Sequence, residues 1–146
     1  MKLHEEPIIV EQMIDASLEA VWDALTQIDQ MRLWYFENIP AFEPEVGFEA
    51  RFDVRNENRH FLHVWTVTDV VPMKLIRYDW RYEGYAGDSF VTFELSSQEK
   101  LTKVRLTHEI CESFTAGIPE FTRESCVAGW KYFINDRLRE FLETST

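Results

Sequence analysis

Four histidines and two cysteines are the side chains with the widest chemical reach in this chain of 146 residues. His60 and His63 lie three apart in a stretch rich in β-branched and aromatic residues. On a strand they point to opposite faces and cannot share one metal ion. His4 sits near the N-terminus. His108 shares the apolar phase of its segment with Leu106. There it is either a core histidine bonded to a neighbouring hydroxyl or carbonyl, or the polar anchor of a pocket for an apolar ligand. Cys126 falls on an apolar helical stripe, where a small buried hydrophobe is expected rather than a nucleophile. Cys111 follows a strand and has no nucleophile motif around it. No Cys, Asp or Glu completes a metal set with these histidines at a recognisable spacing. Gly84 and Gly87 fit no phosphate-binding loop. Glu43, Glu45, Glu49, Asp53 and Glu57 fall on loops or wet faces, and Asp79 alternates with inward aromatics, so it points outward. General acid/base work needs a carboxyl held in a cleft, and none is nominated. The expectation is no catalytic residue, no metal and no cofactor.

The aromatic set carries more. Five Trp, five Tyr and 11 Phe make 14% of the chain. Periodicity directs Phe52, Trp80, Tyr82, Phe93, Trp130 and Phe133 toward the gap between a sheet and a C-terminal helix. His63 and Trp65 join them if their strand follows the phase Phe61, His63, Trp65, Val67. With Trp34 from a short helix and His108, these ten are the candidate ligand-binding residues. Two readings stay open: the rings fill the core completely, or they line a ligand-sized pocket. Tyr82 and Tyr85 flank a glycine-containing loop that would form its mouth.

The elements that must position these residues follow one another with short joints. Residues 7–14 read as a strand. Ser17 caps a helix whose stripe is Leu18, Val21, Trp22 and Leu25, ending near Thr26. A short helix over about 29–34 follows. From Gly47 the apolar period becomes two: Phe48, Ala50, Phe52, Val54; then 60–71, of ambiguous phase; then Ile76, Tyr78, Trp80, Tyr82; then Val91, Phe93, Leu95; then Val104, Leu106, His108, Ile110. The last segment is a helix over about 120–143, opened by Pro119, with Cys126, Trp130, Phe133, Ile134, Arg137 and Phe141 on one stripe and Leu138 and Leu142 at its edge. Gly129, inside that helix, suggests close backbone approach or a bend. The five late strands form an antiparallel meander, and the whole is one α+β domain over 1–146.

Fifteen basic against 26 acidic residues give a net charge of −11 and disfavour nucleic acid or an anionic membrane as partner. No run approaches a membrane span, and residues 1–7 carry no apolar signal segment. With two cysteines outside any disulfide framework, a cytoplasmic protein with free thiols is expected.

The order of elements resembles the helix-grip fold of the START-like superfamily. More narrowly, it is similar to the bacterial branch homologous to the C-terminal domain of the activator of the heat-shock-protein-90 ATPase. The segments that carry the likeness are Ile14 to Thr26, Trp34, Phe42 to Gly47, Val70 to Leu75, Tyr78-Asp79-Trp80, Val91 to Leu95, Thr107-His108 and Gly129-Trp130. The resemblance implies a curved six-stranded antiparallel sheet wrapped around a long C-terminal helix, two short helices after strand one, and a cavity between sheet and helix. It transfers no reaction, because binders, carriers and some enzymes share that scaffold. The eukaryotic co-chaperone has a separate N-terminal domain for its chaperone contact, and no segment of that size precedes Pro7. The reading favoured is a binding domain for a hydrophobic small molecule. The alternatives are a protein-interaction module of co-chaperone or self-associating type, and a cyclase or hydrolase relying on His63, Tyr82 and His108.

Overall fold

A computed structural model describes residues 1–144. Six strands form one fully antiparallel sheet: β1 (Ile8–Ile14), β2 (Glu49–Asn56), β3 (Arg59–Val71), β4 (Leu75–Glu83), β5 (Asp88–Gln98) and β6 (Leu101–Glu112). Their spatial order is β1-β6-β5-β4-β3-β2. Two helices, α1 (Leu18–Thr26) and α2 (Ile28–Trp34), carry the chain from β1 at one edge to β2 at the other. The C-terminal helix packs on the same face of the sheet. This is the helix-grip arrangement, with the two short helices where the sequence places them.

Local chemistry explains the joints. Ser17 Oγ accepts the Ala20 amide at 3.1 Å and starts α1. Trp34, fully buried on α2, donates its indole N–H to the Ala24 carbonyl of α1 at 2.7 Å, which locks the two helices together. Gly87 enters β5 with φ +122°, and a Cβ there would lie 2.4 Å from the Phe114 ring, so no other residue fits without displacing that ring.

The inner face of the sheet carries Phe52, Trp65, Val67, Ile76, Tyr78, Trp80, Val91, Phe93, Val104 and Leu106, all buried. β3 follows the phase Phe61, His63, Trp65, Val67, and a register shift falls between Val67 and Asp69. Val64 is buried as well, on the outer face. Its cross-strand neighbours are Arg51 and Arg81, whose aliphatic stems can shield it. That double burial is why the period of this strand reads ambiguously.

The C-terminal helix differs from expectation in two ways. Pro119–Phe121 form a separate 3-10 turn, and Thr122 caps the helix proper by accepting the Ser125 amide at 3.2 Å. The helix then runs as α3 (Arg123–Lys131), a π-helical stretch (Tyr132–Leu138) and α4 (Arg139–Thr144). Its buried stripe is Trp130, Ile134, Leu138 and Leu142. A spacing of four drifts around an α-helix of about 3.6 residues per turn. The wider π turns correct that drift, so Leu138 and Leu142 reach the core. Arg137 turns outward instead, and its guanidinium donates to the Leu33 carbonyl at 2.6 Å.

Among the described residues no helix is long and apolar enough to cross a membrane.

Candidate functional site

The rings do not fill the interior completely. A crevice of about 140 Å³ opens between the inner face of β3 and β4 and the first turns of the C-terminal helix. His63, Trp80 and Tyr82 come from the strands, with His108 from β6 behind them. Cys126, Gly129, Trp130 and Phe133 come from the helix, and Phe36 from the stretch after α2. Met1, Glu120 and Ser125 complete the lining. Wider hollows lie elsewhere, such as one of about 290 Å³ beside Glu94, Lys103 and Arg105. It is a groove over the charged outer face of β5 and β6.

One side of the crevice is a closed hydrogen-bond chain. The Trp130 indole N–H donates to His108 Nδ1 at 3.0 Å. An indole nitrogen can only donate, so Nδ1 is bare and the ring proton sits on Nε2. Nε2 donates to Ser89 Oγ at 2.8 Å, and that hydroxyl donates to the Trp80 carbonyl at 2.8 Å. The chain ties the C-terminal helix to β4, β5 and β6. Burial pulls His108 down to about 3, so it is neutral at ordinary pH. The Cys126 sulfur lies 3.3 Å from the same Nδ1, and burial pushes its thiol up to about 12. That thiol is protonated and is no nucleophile.

The opposite side is unfinished. His63 donates from Nδ1 to the Phe61 carbonyl at 3.0 Å, which leaves Nε2 as a bare acceptor. Burial pulls this ring down to about 4. The Trp80 indole N–H, in a residue 5% exposed, has no hydrogen-bond partner. Burial raises the Tyr82 phenol well above its usual range, and the Trp80 indole beside it acts in the opposite direction. An unpaired buried donor costs about 1–3 kcal/mol. At the rim Glu120 is held well below its usual range by Arg59, whose guanidinium donates to it at 2.7 Å. Its charge is therefore already matched.

The ten residues nominated from sequence divide in two. His63, Trp80, Tyr82, His108, Trp130 and Phe133 line the crevice. Trp34, Phe52, Trp65 and Phe93 are buried in the solid core beside it. Trp34 stacks on Tyr35 with centroids 4.5 Å apart, and Phe52 meets Trp65 edge to face at 4.8 Å. Sequence reasoning did not single out Phe36, whose position after α2 has no periodicity to read. Of the two readings of Gly129, close backbone approach or a bend, the first does not hold. A Cβ at Gly129 would meet nothing within 4 Å, so this glycine leaves space. Tyr82 and Tyr85 pack with Phe61, Phe114 and Phe121 in a small second cluster beyond this end of the crevice.

On the outer face Asp79 and Asp88 lie close enough to share a proton. Burial, then Asp88, raises Asp79 to about 7, while Arg81 at 3.2 Å partly opposes this. No group of three or more potential metal ligands gathers among the described residues.

Comparisons with known proteins agree with this fold. The family model described as Activator of Hsp90 ATPase homolog 1-like protein matches residues 15–143. No curated protein matches significantly. Among solved structures, protein CV1439 from Chromobacterium violaceum is similar with a TM-score of 0.79 at 19% identity, covering 94% of this chain and 97% of that one. Protein MLL2253 from Mesorhizobium loti gives 0.73 at 23% identity, covering 97% and 99%. The Aha1 dimer from Colwellia psychrerythraea, solved in solution, gives 0.70 at 24% identity, covering 97% and 99%. At these identities the likeness shows the fold.

Proposed function

Because the chain belongs to the family of activator of Hsp90 ATPase homolog 1-like proteins, we propose that it is a binding domain for a small hydrophobic molecule seated between the sheet and the C-terminal helix. The family supports a ligand-binding helix-grip domain at a general level. The observation that carries the finer reading is the ring-lined crevice of about 140 Å³, with His63 and Tyr82 as the polar-tipped members of its wall. A fully packed core would have closed that space. Contacts come from His63, Trp80, Tyr82, Trp130 and Phe133, with His108 holding Trp130 in place. The free thiols Cys111 and Cys126 fit a reducing compartment such as the cytoplasm.

A thermal-shift screen with lipids, polyketides and phenolic compounds tests the proposal. A ligand at a hundred times its Kd stabilises by about 2.7 kcal/mol, which raises the melting temperature by several degrees. The shift must vanish in Gly129→Phe, whose ring would occupy the crevice. No shift with any compound, or an equal shift in Gly129→Phe, refutes the reading.

A second reading rests on a different surface. Leu33 is 60% exposed and Tyr132 50% exposed, and both lie beside Arg137, which bonds the Leu33 carbonyl and approaches the Tyr132 ring. Such a patch suits a protein contact, either with a partner or with a second copy as in the Colwellia relative. Sedimentation of Leu33→Asp against the parent chain tests it, and an unchanged monomer in both refutes self-association.

A further inference from the structure

We propose that the bound molecule is an amphipathic carboxylate, whose head group lies among Arg32, Arg55 and Arg137 in a groove beside the crevice and whose apolar body passes Phe36 into the crevice. This deepens the hydrophobic-ligand reading above and rests on it. Three observations converge.

The first is unmatched positive charge. Among the described residues Arg51, Arg59, Arg77, Arg81, Arg105 and Arg139 each pair with a carboxylate. Arg32, Arg55, Arg123 and Arg137 do not, and three of these four, Arg32, Arg55 and Arg137, line one groove of about 510 Å³. Arg32 donates to the Ile39 and Pro40 carbonyls at 2.8 and 2.9 Å, and Arg137 donates to the Leu33 carbonyl at 2.6 Å. Those carbonyls orient the two guanidinium forks without neutralising them, and each fork keeps N–H groups to spare. The Arg55 side chain, on the edge strand β2, has no hydrogen bond or ion pair among the described residues.

The second is charge balance. Glu37 and Asp53 also line the groove, and Asp53 already meets His60 Nδ1 at 2.9 Å. Three guanidinium groups against two carboxylates leave one positive charge over, in a chain whose net charge is −11. A single carboxylate matches that charge and suits the planar fork of an arginine. A cationic head would add to the excess, and an alcohol would leave it unmatched.

The third is continuity. Phe36 lines both hollows, with its ring centroid 5.0 Å from Phe133 and 5.2 Å from Phe52. It is half-buried and belongs to no regular element, so one side chain of an irregular stretch parts the charged groove from the ring-lined crevice. Alone, the crevice of about 140 Å³ is near the size that holds benzene and below the range of about 300–1,000 Å³ usual for ligand pockets. Joined to the groove, it enters that range.

Titration of the tryptophan fluorescence with 4-phenylbutanoate, 4-phenylbutan-1-ol and 4-phenylbutylamine separates the possibilities, because the three share a body and differ in the head. The carboxylate should bind about tenfold or more tightly than the alcohol, the value of one charge-assisted hydrogen bond, and the amine should bind most weakly. The preference should shrink as salt is raised. Arg55→Gln and Arg137→Gln should each cut the ratio of carboxylate to alcohol affinity severalfold while affinity for the alcohol holds. Gly129→Phe, which fills the crevice, should abolish binding of the carboxylate. Octanoate and octan-1-ol repeat the comparison with an acyl body. The tighter of the two acids names the body as aryl or acyl, and either order upholds the head-group assignment. Equal binding of acid and alcohol to the parent chain overturns the carboxylate assignment and leaves the hydrophobic-ligand reading standing. A ratio unchanged in both arginine variants also overturns it, because the head then lies elsewhere, such as beside Met1, which lines the crevice and not the groove. Carboxylate binding that survives in Gly129→Phe overturns the passage of the body into the crevice. Failure of every probe to bind removes the inference, and the thermal-shift screen then decides the broader reading alone. The probe series on the parent chain decides the head-group assignment even if a variant fails to fold.

Discussion

Acidification should expose the two buried histidines through the slope of stability against pH. Burial pulls His63 to about 4 and His108 to about 3 from an ordinary 6.5. Below pH 6.5 the unfolded chain takes up both protons while the folded chain refuses them. The unfolded state then binds more protons, so stability present at neutral pH is lost as the pH falls. Asp79 acts in the opposite sense. It is raised to about 7, so the folded chain binds a proton that the unfolded chain lacks, and stability rises as the pH falls from 7 toward 4. From pH 7 to pH 5 each histidine costs about 1.9 kcal/mol, and Asp79 offsets at most about 2.3 kcal/mol, less where water screens it. The net loss is therefore at least about 1.5 kcal/mol. Asp79→Asn removes the offset and should lose about 3.7 kcal/mol over the same interval. Adding His63→Gln to that variant should halve the loss. Glu11, Glu120 and Glu143 are held below their usual range and titrate beneath this window. Urea denaturation at pH 7 and pH 5, at fixed ionic strength, reads these differences directly, whatever the absolute stability of each variant. The reasoning fails if Asp79→Asn loses no more than the parent. It also fails if the double variant loses as much as Asp79→Asn alone.

Two further substitutions probe the walls of the crevice. Trp130→Phe keeps the ring and deletes the donor to His108 Nδ1, leaving that buried acceptor only the Cys126 thiol at 3.3 Å. It should destabilise by about 1–3 kcal/mol in urea denaturation, and a loss below 0.5 kcal/mol would show that the chain does not fasten helix to sheet. Gly129→Ala should do the reverse. Its Cβ meets open space in a helical segment, so stability should rise by about 0.5–1 kcal/mol while binding in the narrowed crevice weakens. A destabilised variant would mean that the space is not there.

How much of this was legible in the sequence depends on whether a feature has a period. β4 and β6 are wet on one face, so Ile76, Tyr78 and Trp80, or Val104, Leu106 and His108, announce their phase. β3 hides its phase because Val64 is buried opposite Trp65 on the other side of the sheet. The C-terminal helix was legible as an element and less so as a face. Hydrogen bonding of the π type leaves no mark in composition, so by periodicity Leu138 reads as an edge residue and Arg137 as part of the stripe. In the site, periodicity told which rings look inward but not where the packing stops. That boundary depends on a missing Cβ at Gly129 and on Phe36, which belongs to no regular element. Tertiary placement alone decides that Phe52 and Trp65 are covered while Trp80 faces a gap.

The departures from ordinary packing fall mostly in one place. A glycine inside a helix costs about 1 kcal/mol, and the π-helical stretch that begins at Tyr132 breaks the α-helical hydrogen-bond pattern. A buried indole donor without a partner and a neutral imidazole with a bare acceptor add to the cost. All of these touch the same crevice, through Gly129, Phe133, Trp80 and His63. The Trp65 N–H is a further unsatisfied donor, and it lies in the solid core among Tyr35, Phe52 and Tyr78. The contrast matters, because a fold that merely tolerated imperfections would scatter them. Around Trp65 the rings close in on every side, whereas beside the Trp80 ring the chain leaves out a side chain at Gly129 and opens a crevice. Local rules are broken together where a site needs them broken and are kept elsewhere.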